Sequence, residues 1–227
     1  MNTVPILYED NHLLVVVKPP NLLAQGDRTG DDNLLDILKD YIKEAYNKPG
    51  NVYLGLVHRL DRPVGGVMVF AKTSKAAGRI SRQIREDTFQ KGYLAAVWGQ
   101  PQPLRGDLIH YLKKERRANL VRVVEKNRRG AKKARLSYEV VDMAGELSLV
   151  RIQLHTGRPH QIRVQMAQAG HPLFGDQRYG KRIIRRQQIA LWAERIGFLH
   201  PTTKEFLEFK EPPPTVQPWS GFRHYQS

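Results

Sequence analysis

The hydrophobic positions of this chain predict short strands interrupted by single helices. Two apolar runs near the start, Ile6–Tyr8 and Leu13–Val17, are separated by turn residues and predict strands that end before Pro19-Pro20. The spacing then changes to that of a helix, with N-cap candidates at residues 31–33. One face of this helix is predicted to hold Leu34, Leu38, Tyr41, Ile42 and Ala45.

The remainder of the chain continues this mixture. A helix is predicted over residues 74–85, and another in "HQIRVQMAQAG". Strands are predicted for "GYLAAVWG", Leu136–Val141 and Leu147–Leu154, and further strands are expected to flank an exposed turn at Arg129-Gly130. No repeat or linker divides the sequence. The pattern favours an α+β fold with a mixed, largely antiparallel central sheet and flanking helices, in a single domain over residues 1–227.

The segment "VHRLDRPVGGVMVFAKT", Val57–Thr73, places one carboxylate between two arginines. "YLGLVHRL" and "VMVFAK" predict strands joined by the turn "DRPVGG". In an extended strand Arg59 and Asp61 would share one face, at the rim of the sheet where a ligand can reach them. His58 and Leu60 would occupy the other face. From spacing alone, an exposed ion pair in a turn and a functional carboxylate are equally good interpretations of Asp61.

The charge balance points to a polyanionic partner. The 227 residues include 37 Lys+Arg and 22 Asp+Glu, a formal net charge of +15. Lys113–Arg135 holds eleven basic and two acidic residues, and Arg178–Arg186 adds five basic residues without an acid. Neither cluster forms a long amphipathic helix with an aromatic face, so nucleic acid is favoured over a membrane surface.

Composition also restricts the setting and the chemistry. The absence of cysteine excludes disulfides and thiolate nucleophiles, and neither a signal-like N-terminus nor a long apolar run occurs, so a cytoplasmic protein is expected. No phosphate loop, dinucleotide fingerprint or GxSxG elbow is present. Four possible metal ligands have a spacing broken by glycine and proline, which favours ordinary hydrogen-bonding roles and no metal site: His155, His160, His171 and Asp176.

The segment around Asp61 resembles the signature of the RluA-type pseudouridine synthases, whose core is His-Arg-Leu-Asp followed by a short turn and an apolar strand. An isolated HRLD would be a weak signal. Further segments resemble the family's other motifs in the same order, from about Ile6 to Pro214: "ILYEDNHLLVVVKPPNLL", "FQKGYLAAVWGQP", "LHTGRPHQIRVQMAQAGHPLFGDQRYG" and "FLHPTTKEFLEFKEPPP". The resemblance implies the pseudouridine synthase catalytic fold, here without the N-terminal S4-type module that many relatives carry.

The resemblance implies an RNA pseudouridine synthase that isomerises uridines in structured ribosomal or transfer RNA. The reaction is redox-neutral, so neither a cofactor nor a metal is implied. The family pattern places the catalytic carboxylate on Asp61. Tyr93 would pack on the uracil ring, and Arg163 would offset the desolvation of the carboxylate. Without the resemblance, Tyr93 would be a core tyrosine and Arg163 a residue on the exterior of a helix.

The same motifs imply which residues hold the RNA. Arg59 is expected to stack in the space that a flipped uridine leaves. Two departures from the family pattern concern substrate contacts: residues 62–66 are Arg-Pro-Val-Gly-Gly where x-x-Thr-Ser-Gly is usual, and Pro159 replaces a threonine. The individual substrate preference is therefore expected to depend on that turn. The other substrate-binding candidates are His58, Arg62, Arg158, His160 and Gln161.

Two alternatives to an enzyme remain at the level of sequence. A non-catalytic relative would retain the basic clusters for RNA binding, although the presence of Asp61, Tyr93 and Arg163 together argues against it. A DNA-binding protein is less consistent, because neither a helix-turn-helix nor a zinc-finger pattern occurs. RNA is thus the expected partner, and the protein is expected to be a monomer.

Overall fold

The computed structural model describes residues 4–115, 118–180 and 187–223, which belong to two compact units. The first contains the chain up to Gln90 together with Ala193–Glu211, so it is built from two separate stretches of sequence. The second contains Lys91–Trp192 and the segment from Pro212 onward. Within the described residues, no helix has both the length and the apolar character needed to cross a membrane. The expectation of a single domain over residues 1–227 stays a prediction.

The described residues form strands and helices in the predicted alternation. The strands are β1 (Ile6–Glu9), β2 (Leu13–Lys18), β3 (Gly55–Leu56), β4 (Gly65–Ala71), β5 (Gln90–Trp98), β6 (Arg105–Glu115), β7 (Leu120–Val124), β8 (Lys132–Ala144), β9 (Leu147–Leu154), β10 (Leu191–Leu199) and β11 (Phe206–Lys210). The helices are α1 (Leu34–Ala45), α2 (Ser74–Arg85) and α3 (Gln161–Gln168). The prediction of an α+β fold with a mixed, largely antiparallel sheet is confirmed.

In the first unit the strand order is β1–β2–β4–β10, with β11 paired to β10 and the short β3 paired to β4. Both β2 and β4 are buried along their whole length, because both of their faces are covered. This explains why their sequences are continuous apolar runs rather than alternating ones. The helix α2 contributes Ile80 to the core, where it packs with Val15, Val69 and Phe198.

The helix α1 is confirmed and begins at its capping residue. The side chain of Asn33 accepts a hydrogen bond from the Asp36 N–H (3.1 Å), which satisfies one of the open amides of the first turn. Ala45, the last helical residue, is exposed together with the residues that follow it, so its predicted place on the apolar face is wrong. The buried face holds Leu34, Leu38 and Ile42.

In the second unit the strand order is β5–β9–β8–β6–β7, and each neighbouring pair is antiparallel. The helix α3 packs on one face of this sheet, where Val164 meets Leu112, Val121 and Ala134. The turn between β7 and β8 is exposed as predicted, and Gly130 has φ +83° there, a left-handed conformation that favours glycine.

The predicted strand "YLGLVHRL" is confirmed only at Gly55–Leu56 and is wrong on both sides of these two residues. Only Gly55–Leu56 pair with β4, and residues 57–61 have no strand pairing. The reason is a side chain that takes the place of backbone: the Val69 N–H of β4 donates to Nε2 of His58 (3.0 Å). Because that amide is already satisfied, the chain leaves the sheet before it reaches Asp61.

Candidate active site

Asp61 begins a tight turn at the entrance to β4. The Val64 N–H donates to the backbone carbonyl of Asp61 (2.9 Å), which closes the turn over Arg62 and Pro63. Leu60 and Val64, on either side, are buried and anchor it. Asp61 itself is half-buried.

A lysine that the sequence reasoning missed lies beneath this turn. Lys18, the last residue of β2, is fully buried, and its Nζ donates to the backbone carbonyls of Pro19 (2.9 Å), Leu22 (2.6 Å) and Arg62 (3.1 Å). These three acceptors match the three N–H donors of an ammonium group. One side chain thereby connects β2, the loop that follows it and the turn that carries Asp61.

The charge of Lys18 is set by burial and by Asp61. Burial lowers the pKa of Lys18 to about 7, and the negative charge of Asp61 acts in the opposite direction by favouring the ammonium form. The nearby Arg62 charge adds to the lowering. Within the first unit, the ammonium form of Lys18 is the one that interacts favourably with the charge of Asp61. The sequence signal was a lysine at the end of the apolar run "LLVVVK".

The buried amine predicts a dependence of stability on pH. Lysine in an unfolded chain has a pKa of about 10.4, so above about pH 7 the unfolded state binds more protons than the folded state. The stability contributed by Lys18 is therefore fully present above the unfolded pKa. It decreases as the pH falls from there, because the unfolded chain takes up a proton first, and it is lost once the pH has fallen through the folded pKa of about 7. We expect the unfolding free energy of wild type minus that of Lys18→Met, measured in urea, to increase above pH 7 by up to about 1.4 kcal/mol per pH unit. A difference that does not vary with pH would contradict this.

The residues flanking Asp61 differ in how they are held. Arg62 is exposed, and it donates from Nε to the Asn21 carbonyl (3.1 Å) and pairs through Nη1 with Asp31 (2.7 Å). Arg59 is exposed. Its predicted alignment with Asp61 assumed a strand that the structure does not have. The role of Arg59 in replacing a flipped base, and those of His58 and Arg62 in binding substrate, stay predictions.

Arg163 in the second unit is buried rather than on the exterior of its helix. Residues Gln161–Met166 of α3 are all buried, and Arg163 is only 6% exposed. Its Nε and Nη2 donate to the two carboxylate oxygens of Asp176 at 2.9 and 2.7 Å. This bidentate pairing fixes the plane of the guanidinium group. The interpretation of Arg163 as one more basic residue on a helix surface is therefore wrong.

Asp176 and Tyr179 complete the surroundings of Arg163. Burial alone would raise the pKa of Asp176, but hydrogen bonds from Arg163 and from the N–H groups of Arg178 and Tyr179 outweigh it and lower the pKa. The guanidinium carbon of Arg163 lies 5.2 Å from the centre of the Tyr179 ring, a cation–π contact. The Tyr179 hydroxyl contacts Nδ1 of His160 (2.7 Å).

Removing the negative charge from the buried Arg163–Asp176 pair is expected to lower the stability of the protein strongly. Asp176→Asn leaves the Arg163 guanidinium buried without a counter-charge, and we expect the unfolding free energy in urea to fall by about 3 kcal/mol. The control is Asp107→Asn, which breaks the exposed pair with Arg135 and should leave the unfolding free energy close to that of the wild type. Similar losses of unfolding free energy in the two variants would contradict the view that burial makes the Arg163–Asp176 pair more important for stability than an exposed pair.

The other predicted residues of the second unit lie around the start of α3. His160 has φ +51° at the N-cap position. The Gln161 side chain accepts from Thr156 Oγ1 (2.8 Å) and the Arg158 N–H (3.0 Å), so it holds the loop that precedes the helix. Tyr93 lies on β5 opposite Ile152 and is 8% exposed. The substrate contacts assigned to these residues stay predictions.

The histidines considered as metal ligands make ordinary contacts. His155 Nε2 lies 2.8 Å from Ser137 Oγ, and His171 Nδ1 lies 3.0 Å from the Trp98 carbonyl. Among the residues that the structure describes, no group of three or more histidine, aspartate or glutamate side chains is arranged to hold a metal ion.

Comparisons with known proteins agree on one family. A family model described as RNA pseudouridylate synthase matches residues 12–168. The ribosomal large subunit pseudouridine synthase C of Escherichia coli (strain K12) is 35% identical over 216 residues, which are 91% of this chain and 66% of that protein. The RNA pseudouridine synthase YhcT of Bacillus subtilis (strain 168) is 33% identical over 213 residues, 92% of this chain and 68% of that protein.

A solved structure gives the same result. Human RNA pseudouridylate synthase domain containing 1 has a TM-score of 0.75 and 26% sequence identity, covering 97% of this chain and 88% of that chain. The present chain spans slightly less than two thirds, 66%, of the Escherichia coli relative's length.

Proposed function

This chain belongs to the RNA pseudouridylate synthase family, among the RluA-type members, and we propose that it isomerises specific uridines of structured RNA to pseudouridine. The C1′–N1 bond of the nucleotide is broken, the uracil rotates, and a C1′–C5 bond is formed. C5 loses a proton and N1 gains one, so nothing is oxidised, reduced or released. Such a reaction needs positioned acids and bases but no redox cofactor.

The observation that carries the proposal is the placement of Asp61. The residue is half-buried and lies inside the matched range 12–168, in a turn whose Arg62 carbonyl accepts from the buried amine of Lys18. A carboxylate in this setting can attack the ribose or the base, or deprotonate the sugar, and each of these roles requires the ionised form. The charge of such a carboxylate in turn raises the pKa of Lys18 against the effect of burial.

The second unit supplies the remaining catalytic residues of the proposal. Arg163 is presented in a fixed orientation by Asp176, which supports its role as a cation for the catalytic carboxylate. Tyr93 would pack against uracil. The uridine has to leave its stack, and the exposed Arg59 would occupy the space it vacates. His58, Arg62, Arg158, His160 and Gln161 are proposed to contact or position the substrate.

The proposed substrate is ribosomal or transfer RNA. The Escherichia coli relative is named as a ribosomal large subunit synthase, and the net charge of +15 suits an RNA partner. We propose that the protein acts in the cytoplasm as a monomer.

Chemical mapping of pseudouridine tests the proposal. RNA extracted from cells that lack this protein is incubated with the purified protein and then mapped, and new pseudouridines are expected at a small number of defined sites. If the RNA binds tightly but gains no pseudouridine, the proposal of an enzyme is wrong, and the protein is a non-catalytic RNA-binding relative. The same map identifies the RNA and the uridine.

A further inference from the structure

The sheet of the second unit has an exposed surface on the side away from α3. In each strand pair, directly opposed residues share a face, so the register separates the two sides. Val121, Leu112 and Ala134 lie on the side of α3, where they pack against Val164. The opposite side, which we call the outer face, carries Ile109, Tyr111, Lys113, Arg122, Lys133 and Arg135.

The outer face is a surface distinct from the side that carries Tyr93. Tyr93 is opposite Ile152, which is opposite Tyr138. Tyr138 lies two and four residues along β8 from Leu136 and Ala134, so all of these side chains belong to the α3 side. The proposed catalytic residue and the outer face therefore point to opposite sides of the same sheet.

The outer face is basic, and its positive charge is concentrated at one end. Arg135 and Arg122 are neutralised by carboxylates, Asp107 at 2.9 Å and Glu115 at 3.0 Å. Next to them, the turn of residues 125–131 between β7 and β8 adds exposed cations, and the side chain of Lys113 extends to within 3.9 Å of the position a Cβ would take at Gly130. Among the described residues, no carboxylate forms an ion pair with the side chains of Lys113, Lys126, Arg128, Arg129 and Lys133.

Apolar and aromatic groups lie among these charges. Tyr111 is partly exposed and is flanked by Val124 on β7 and Lys133 on β8. Ile109, two residues earlier on the same strand, is 51% exposed. A flat aromatic side chain surrounded by cations is suited to stacking a nucleobase while neighbouring phosphates bind the lysines and arginines. A membrane surface would instead require an apolar helical face, which this region lacks.

We infer that the outer face and its basic turn bind a single-stranded segment of the substrate RNA, with a base stacked on Tyr111 and phosphates bound by Lys113, Arg128 and Arg129. The inference rests on the proposed function for the identity of the RNA. It assigns to this chain a second contact with its substrate, separate from the site that holds the reacting uridine. Residues 116–117 and 181–186 of the two basic sequence clusters lie outside the described residues, and the inference does not use them.

Two variants with equal loss of charge test the phosphate contacts. The outer-face variant combines Lys113→Gln, Arg128→Gln and Arg129→Gln. The control variant combines Lys75→Gln, Arg82→Gln and Arg85→Gln, all on the exposed side of α2. Each variant lowers the net charge from +15 to +12. Affinity is measured for a short single-stranded RNA of mixed sequence over a range of salt concentrations. We expect the outer-face variant to lose about tenfold in affinity and to lower the salt slope by about 2, with little change in the control.

The stacking contact has its own test. Tyr111→Leu should weaken binding of single-stranded RNA about fivefold or more without altering the salt slope, whereas Tyr111→Phe should bind as the wild type does. A fully paired RNA duplex of the same length should not distinguish Tyr111→Leu from the wild type. Equal losses of affinity in the outer-face variant and its α2 control would overturn the inference that this surface binds RNA. An unchanged affinity of Tyr111→Leu would do the same.

Failure of this inference can be told apart from failure of the proposed function. All binding is measured in an Asp61→Asn background, where no turnover occurs. Turnover is measured separately on the shortest RNA fragment that the wild type modifies, where the outer-face variant should retain the wild-type kcat. If the wild type modifies no RNA, the proposed function is wrong. The comparison of binding affinities then still decides whether the outer face binds single-stranded RNA.

Discussion

Asp61→Asn is expected to reduce pseudouridine formation by at least about a thousandfold while leaving the fold intact. Asparagine has nearly the same size and shape, and the turn is closed by the backbone carbonyl of residue 61, not by its side chain. The substitution therefore removes the negative charge and the nucleophilic oxygen but not the local geometry. Single-turnover assays on a modified RNA fragment, with pseudouridine quantified chemically, give the rate directly.

The control for this loss is a carboxylate of the same unit that has no proposed role. Asp40 is exposed on α1, so Asp40→Asn makes the same change of charge at the surface and should retain the wild-type rate. Asp40→Asn should have an unfolding free energy close to that of the wild type, whereas Asp61→Asn should be somewhat less stable, because Lys18 loses the nearby charge that favours its ammonium form. If Asp61→Asn keeps a tenth or more of the wild-type rate of pseudouridine formation, Asp61 does not take part in the chemical step.

Gly66→Ala is expected to destabilise the protein by at least about 4 kcal/mol. Gly66 has φ +123°, and a Cβ there would lie 2.2 Å from the carbonyl oxygen and 2.6 Å from the nitrogen of Ala193 on β10. Both atoms belong to backbone, so neither can swing aside as a side chain could. β4 and β10 would have to separate next to Gly66, which pairs with Lys18 of β2 on the other side of β4. Urea unfolding measured by circular dichroism checks the size of the loss.

A second glycine provides the matched comparison. Gly78 lies in the middle of α2, and a Cβ placed there meets nothing within 4 Å. Gly78→Ala should therefore stabilise the protein by about 0.5 to 1 kcal/mol, because alanine favours the helix. If Gly66→Ala were as stable as the wild type, β10 would have to approach β4 less closely than the structure indicates.

The parts of the fold that the sequence predicts are those with an unambiguous local pattern. The helix at residues 74–85 and the strand Leu147–Leu154 agree with the structure in both bounds, because their apolar spacing and capping residues act over a few positions. The strand through His58 fails for a reason that spacing cannot reveal. A ring nitrogen replaces a backbone acceptor, and this depends on how the loop folds back onto β4.

The feature of the candidate site that the sequence did not predict is the burial of charged groups: Lys18 was not identified, and Arg163 was identified without its burial or its partner. Lys18 and Arg163 would ordinarily be expected at the surface, since lysine and arginine are rarely fully buried without partners. Their partners come from elsewhere in the chain: Arg62 provides a carbonyl for Lys18 from 44 residues away, and Asp176 pairs with Arg163 across 13 residues. Asp61 was identified because its signature is contiguous. Its supporting cation was not, because that contact is made only in the folded chain.

The first unit is interrupted in sequence, and this has a consequence for biosynthesis. After Gln90 the ribosome must translate Lys91–Trp192 of the second unit before Ala193–Glu211 emerge to supply most of β10 and all of β11. At 5 to 20 residues per second, the delay is about 5 to 20 seconds. During that interval β4, apolar along its whole length, has a largely unpaired edge on the nascent chain. This edge of β4 is thus paired with β10 only late in translation, and its protection in the meantime falls to the exit tunnel and to chaperones.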